Sequence, residues 1–493
     1  MRSTFIPLAL TLAAVAAMAL PQQIPFVAPH PPTVPQHHAL TNTAYARFDH
    51  DQVLRVQVAN DDELKQLEAV IEEQTLDLWS NLRIGTVDVR IPRSNMDAFK
   101  SAVSLPHSVM IENLQELVPE QAPASIIRSH GDWNFTDNSF WASYHDLATL
   151  NSFTEAMVQQ FPDLVKRTSM GTTHEGREVF GMTIHGFQNK KKSLAQQQED
   201  AQENNDEVNS WWSWLIDSLA ANRSSKNHSK PEKHPKEILF HGGQHAREWI
   251  GPAVVSYIAK ELILGYGTNK KITRLVDQFE FTIVPVLNAD GYAYTWEHNR
   301  MWRKNREPTF VPFCPGIDPN RNWGYKWNNG GSSSNPCSEA YQGPEPFAAK
   351  EPKMIADYIL KKGNVVSYID FHAYSQLWMS PFGADCTSIP KDNEDIMEAG
   401  MGAAKALKDI HGTKFAVGSV CNIIYQASGG SLDWTYATGG VKYSYAVELR
   451  DTGRHGFLLP EDQILPSSEE TFAGVLHLSN FIRKREKQWG YMS

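Results

Sequence analysis

Four cysteines in 493 residues are too few for a scaffold held together by disulfides. No two of them stand in a Cys-x-x-Cys pair, which excludes a zinc-finger spacing. Basic charge is not in excess either: 46 Lys and Arg face 56 Asp and Glu, a formal net charge of -10. Binding to nucleic acid needs a basic surface, so that class is excluded, and docking on anionic membranes is disfavoured. Beyond the first twenty residues no stretch is long and apolar enough to span a bilayer. What remains is ordinary globular material, 41% hydrophobic and 21% charged. At about 100–200 residues per domain it makes two or three domains, or one large domain with an appendage.

The chain opens with Arg2, an apolar run, and then Ala17-Met18-Ala19 with small residues at the two key positions. This pattern predicts a secretory signal peptide over 1–19, cleaved after Ala19, and a secreted or vacuolar protein. An oxidising route permits disulfides. Cys314 and Cys337 bracket a polar loop rich in Gly and Ser, where a bridge would stabilise by about 3 kcal/mol. Cys386 and Cys421 are left open between a second bridge and free thiols. Asn134, Asn222 and Asn227 begin tripeptides of the glycosylation type.

Residues 20–43 read as a flexible leader. Val53 to Val58 alternates as a strand, and Asn60 or Asp61 can cap a helix over 62–74 with Leu64, Leu67, Val70 and Ile71 on one face. Leu76–Trp79 and Val87–Ile91 read as strands, Ser94 as the cap of a helix near 95–104, and Val109–Ile111 as a closing strand. The order β-α-β-β-α-β describes a ferredoxin-like unit of about 70 residues. A Pro-containing stretch from Val118 to Pro123 and a lone basic site, Arg128, follow it. From about 140 the pattern changes. Strands at Val179–Ile184, Ile238–Phe240, Phe281–Val286, Val366–Ile369 and Tyr443–Val447 alternate with helices near 250–264, 351–361, 396–410 and 468–483. The expected class is α/β, a mostly buried sheet layered with helices. Residues 187–236 interrupt it with Gln, Lys, Asn, Glu and Ser. Inside that insertion Trp211, Trp212, Trp214, Leu215, Ile216 and Leu219 form an apolar cluster, read as one side of a docked helix or as a partner-binding patch.

The segment His241-Gly-Gly-Gln-His245-Ala-Arg247-Glu248-Trp249 follows a strand and precedes a helix. His245 and Glu248, three apart, can converge on one point, and an imidazole with a carboxylate suits zinc. Alone, His-x-x-Glu is not specific; such pairs are more often plain surface or core pairs. His241, at a strand end, reads as a packed neighbour. A third ligand must come from elsewhere; His372, at the exit of the strand Val366–Phe371, is a candidate, although by itself a histidine there is more often structural.

With these residues in view, the motifs HAREW, FHAYSQ, PNRNWG, NRMWRKNRE, IYQASGGSLDW and VELRDTGRHGFLLP resemble, in order over about 140–487, the secreted funnel-type zinc carboxypeptidases of the carboxypeptidase A/B group. The upstream unit resembles that family's inhibitory activation segment. The resemblance implies a mixed central sheet flanked by helices, preceded by a small α+β prodomain. It implies one zinc held by His245, Glu248 and His372, with the fourth position open to water, whose pKa zinc lowers to about 7. Glu448 matches the general base, the bland alternative being a Glu paired with Arg450. Arg303 matches the cation facing the developing oxyanion, and Arg300 its structural neighbour. Asn320, Arg321 and Tyr425 match the group that grips a C-terminal carboxylate, and Arg247 a secondary substrate arginine.

Leu432 stands where basic-specific relatives carry an acid. Val420, Ile424, Ala427 and Met379 match other pocket positions and are all apolar, while Asp433 reads as structural. The implied preference is for hydrophobic or aromatic C-terminal residues. Two departures from the pattern, Ala373 for Ser and His455 for Tyr, bear on subsites rather than on the chemistry. The expected protein is thus a zymogen: signal peptide 1–19, propeptide 20–128 with its folded part at about 45–115, catalytic domain 129–493, and activation by cleavage in the linker, after Arg128. Its expected partners are peptides or proteins with a free C-terminus and an activating protease, with no nucleic acid and no membrane, and it is expected to be a monomer. The competing reading is an inactive family member that binds peptides or partner proteins.

Overall fold

The computed structural model describes residues 45–80, 82–118, 133–186 and 235–488. The predicted signal peptide, Arg128, the Trp-containing insertion except its last two residues, and the sequons at Asn222 and Asn227 lie outside the described residues. Among the described residues no helix is long and apolar enough to cross a membrane.

The N-terminal unit forms as its sequence pattern predicts. Strands β1 (Gln52–Val58), β2 (Asp77–Leu78), β3 (Gly85–Ile91) and β4 (His107–Ile111) make an antiparallel sheet in the order β2-β3-β1-β4. Two helices, Asp61–Gln74 and Met96–Ala102, supply the other layer. Asn60 is the cap of the first: its side chain accepts from the amides of Asp62 and Glu63, and three acids in the first turn complement the helix dipole. Ser94 does not cap the second. A 3-10 turn, Arg93–Asn95, enters that helix after Pro92, and the Ser94 hydroxyl donates to Asn95 instead. The unit has a core of its own, with Leu54, Val56, Leu67, Val87, Val89 and Phe99 all buried. Each such buried aliphatic or aromatic side chain contributes about 1.5–3 kcal/mol toward holding the sheet face to the two helices.

The larger unit is built on eight strands in the order β11-β10-β12-β9-β7-β8-β6-β5. They are β5 (Val165–Thr172), β6 (Glu178–Ile184), β7 (Lys236–Gly242), β8 (Phe279–Val284), β9 (Val365–His372), β10 (Leu377–Ser380), β11 (Ala416–Ser419) and β12 (Tyr443–Glu448). β8, β7, β9 and β12 run parallel, while β6 against β8, β5 against β6 and β10 against β12 run antiparallel, so the sheet is mixed. The parallel strands are buried on both faces, which is why they read as near-continuous apolar runs. The strand expected to reach Val286 ends at Val284, just before Pro285. Helices Ile250–Gly265 and Ile464–Gln488, among others, cover the sheet. Cys314–Cys337 and Cys386–Cys421 are both bridged, which settles the second pair as a disulfide.

Candidate metal centre and active site

Open α/β sheets present functional groups at the carboxyl ends of their strands. β7, β9 and β12 do so here. After β7, Gly242 passes so close to the next helix that a Cβ would fall 2.7 Å from the Gly251 carbonyl carbon, and Gly243 turns the chain at φ +63°. That turn brings His245 and Glu248 back over the strand ends. His372 is the last residue of β9, and its registered partner across the parallel ladder is Glu448, the last residue of β12.

His245, Glu248 and His372 are buried together, each offering one ligand atom within 4.8 Å of the other two. His245 Nδ1 is 2.9 Å from Glu248 Oε1, His372 Nδ1 is 2.9 Å from Glu248 Oε2, and the two Nδ1 atoms are 3.0 Å apart. The remaining ring nitrogens face carboxylates: His245 Nε2 lies 3.0 Å from Asp318, and His372 Nε2 lies 2.9 Å from Asp370. Protons on those Nε2 atoms leave both Nδ1 atoms as bare acceptors turned toward a carboxylate. A triangle of acceptors with no donor among them is what a cation reconciles, and two imidazoles with one carboxylate suit zinc. The donor set therefore fits the metal.

Burial pushes Glu448 up to about 8, the His372 imidazole working against it. Its Oε2 is buried without a hydrogen-bond partner among the described residues. Arg450 does not pair with it; that guanidinium binds Glu470, Gln463 and Thr413, so the bland reading of Glu448 fails. Arg303 lies 3.7 Å from Glu248 and 2.9 Å from Asp318. Burial alone would lower its pKa, but the Asp318 and Glu248 charges outweigh that and hold it above the usual range. Arg300 is a framework residue, donating to the carbonyls of Arg247 and Phe457 and lying over Trp249.

Asn320 and Arg321 stand on the turn after Asp318, and an Arg321 Nη2 donates to the Tyr425 hydroxyl at 2.5 Å. The side-chain nitrogen of Asn320 is 3.3 Å from His372 Nε2. Met379, Leu432 and Ala446 pack together with Val420 and Ile424 beside them. The Asp433 carboxylate is turned onto the amides of Gly383 and Ala384, as befits a structural acid. The ligand set, Glu448, Arg303, Asn320, Arg321, Tyr425 and the apolar group line one cavity of about 630 Å³.

The other wall of that cavity belongs to the N-terminal unit: Leu64, Glu68, Ile71, Leu78 and Trp79. Arg247 is fully buried, its Nη1 donating to both oxygens of Asp77 at 2.9 and 2.8 Å. Trp79 meets Phe457 edge-on with ring centroids 5.0 Å apart, and the Tyr374 hydroxyl donates to Asp88 at 3.3 Å. The sequence reading missed Asp77, Asp318 and Asp370. The latter two each stand two residues before a site residue, a spacing that could have flagged them.

Two families match the chain in sequence: the zinc carboxypeptidases over residues 150–474, and the carboxypeptidase activation peptide over residues 54–121. Mouse carboxypeptidase A2 is 36% identical over 445 residues, covering 88% of this chain and 94% of that protein. The inactive metallocarboxypeptidase ECM14 of Blastomyces gilchristii (strain SLH14081) is 32% identical over 471 residues, covering 89% of this chain and 73% of that protein. The crystal structure of thrombin activatable fibrinolysis inhibitor superimposes with a TM-score of 0.72 at 29% identity, covering 89% of this chain and all of that one. Fold, donor set and relatives together define a zinc-dependent peptidase carrying an activation peptide. The chain belongs to the zinc carboxypeptidase family, and it is a zymogen of that family.

Proposed function

We propose that this zymogen, once cleaved, removes hydrophobic or aromatic residues from the C-terminus of peptides and proteins. The observation that carries the specificity is the apolar group Met379, Leu432 and Ala446, combined with an Asp433 carboxylate already committed to backbone amides. Among the described residues a Lys or Arg side chain finds no free acid beside that apolar group, and burying an unpaired charge is costly.

The reading assigns His245, Glu248 and His372 as the zinc ligands. Zinc held there would polarise the scissile carbonyl and lower the pKa of an attacking water, easing loss of its proton. Glu448, opposite His372, takes the proton of that water and passes it to the departing amine. Arg303 faces the carbonyl oxygen as charge develops on it, already fixed by Asp318 and needing no reorganisation. Arg321, Asn320 and Tyr425 hold the substrate's terminal carboxylate, a planar guanidinium being suited to that task. Arg247 binds substrate farther from the scissile bond, and in the zymogen Asp77 occupies it.

The same reading assigns residues 1–19 to a signal peptide, 20–128 to the propeptide with cleavage after Arg128, and 129–493 to the catalytic domain. The leader pattern and the two disulfides support secretion. A monomer needs no second copy to complete the site. Similarity to a relative named inactive keeps a binding-protein reading in view, and retention of Glu448, Arg303 and all three ligands speaks against it.

One assay separates these readings: cleave the linker, then compare release of Phe and Arg from blocked dipeptides with and without a zinc chelator. Phe release should exceed Arg release and stop with the chelator. Arg exceeding Phe overturns the pocket assignment, and no release of either favours the binding protein.

A further inference from the structure

Asp370 stands two residues before His372 on β9, and side chains two apart on a strand share a face. Its carboxylate therefore lies beneath the imidazole, fully buried. Oδ2 is 2.9 Å from His372 Nε2 and accepts from Gln244 Nε2 at 2.7 Å and Ser431 Oγ at 2.6 Å. Across the ladder, the registered partner of Asp370 is His241 on β7. His241 Nδ1 and Asp370 Oδ1 face each other at 3.4 Å, and neither has a hydrogen-bond partner among the described residues. The Tyr368 hydroxyl lies 2.7 Å from His241 Nε2. If that hydroxyl donates, the ring proton sits on Nδ1, facing the carboxylate; the other tautomer sets a lone pair against a buried anion.

We propose that Asp370, steadied by His241, Gln244 and Ser431, is a positioning residue that holds His372 with its Nδ1 bare and so sets how tightly the site retains zinc. The inference rests on the assignment of His245, Glu248 and His372 as ligands. The Asn320 amide nitrogen, 3.3 Å from His372 Nε2, is a donor and cannot take that ring proton, so Asp370 is its acceptor. Asp318 stands in the same relation to His245, but it also binds Arg303, so changing it disturbs the substrate side as well. Among the described residues Asp370 meets no substrate-side cation; its other partners are Gln244, Ser431 and His241, so changing it bears first on the metal side.

The test uses the full-length chain stripped of metal. Zinc affinity is measured by competition with a chelator, cobalt is loaded for its visible spectrum, and unfolding of the metal-free chain serves as the control. Asp370→Asn keeps the shape and removes the anion. It should weaken zinc binding 10- to 100-fold and shift the cobalt spectrum, with unfolding of the metal-free chain little changed. Should that variant not fold, Ser431→Ala decides, with a several-fold weakening expected. Zinc binding at wild-type strength in the variant that folds overturns the proposal. So does a loss of affinity matched by an equal loss of stability in the metal-free chain. A wild-type chain that takes up no zinc overturns the ligand assignment instead.

Discussion

Consider removing the Asp77 carboxylate. Asp77 binds Arg247 through both oxygens, and one of them also accepts from Trp79 Nε1 at 3.1 Å. The Arg247 side chain is wholly buried and that of Asp77 is 11% exposed, so the pair is shielded from solvent. Breaking a buried pair by removing one partner costs about 3–5 kcal/mol, because the other charge is left uncompensated. Trp79 on Phe457, Arg55 on the Thr452 carbonyl and Tyr374 on Asp88 survive the change, and the propeptide stays covalently attached. The loss therefore appears as a shift in the equilibrium between a covered and an uncovered cleft. At the lower end of that range, since water can reach Arg247 once the acid is gone, the shift is roughly a hundredfold. The assay compares Asp77→Ala with wild type, both carrying Arg128→Gln to prevent cleavage there, on a blocked dipeptide ending in Phe. The Asp77→Ala zymogen should hydrolyse it about a hundredfold faster, up to the limit set by the mature enzyme. After authentic activation, without Arg128→Gln, the two enzymes should be indistinguishable, because position 77 leaves with the peptide. Uncleaved rates within twofold of each other would refute the reasoning.

Glu448→Gln should lower kcat by about 10²–10⁴-fold while leaving one zinc per chain, measured by steady-state kinetics and metal analysis together. Glu351 is fully buried, accepts one bond from Asn305 at 2.8 Å, and is pushed up by burial to about 7 from 4.5. The folded chain holds its proton more tightly than the unfolded one, so this group's stabilising effect is complete below about pH 4.5 and is lost as pH rises to about 7, on the order of 3 kcal/mol. Glu351→Gln should flatten the denaturant midpoint against pH across that window; an unchanged slope would count against it. Removing the Cys314–Cys337 bridge, whose cysteines are 23 apart, by paired serine substitution should cost about 3 kcal/mol in denaturant unfolding.

Much of this was legible before any coordinates. The apolar runs of β7, β9 and β12 announced buried parallel strands, and the N-terminal unit declared itself through clean alternation. The strand β5, reading VKRTSMGT at the sheet's edge, was not legible, because one face meets solvent and its apolar signal is thin. β10 and β11, four residues each, are too short to show a period. In the helix Ala289–Glu297, Gly291 and the aromatic residues obscure the apolar face that packing later defines. At the site, side-chain chemistry raised His245, Glu248 and His372 only as candidates; the family resemblance made them a ligand set and supplied the roles of Glu448, Arg303 and Arg321. The carboxylates behind the imidazoles escaped because an acid inside an apolar strand, such as Asp370, carries no sign of what it will face. Only the pairing of β7 with β9 reveals that.

The pairing of β9 with β12 has one further consequence. Because His372 and Glu448 end neighbouring strands in the middle of the sheet, their separation is dictated by main-chain hydrogen bonds rather than by any loop. Sliding one strand by a single residue would turn the acid or the imidazole to the far side. Reshaping the rim of the funnel, by evolution or by design, can thus alter what enters without disturbing the distance between proton acceptor and ligand. Warming the protein should leave that distance intact until the sheet itself gives way, so loss of turnover and loss of amide protection in β9 and β12 belong to the same melting event.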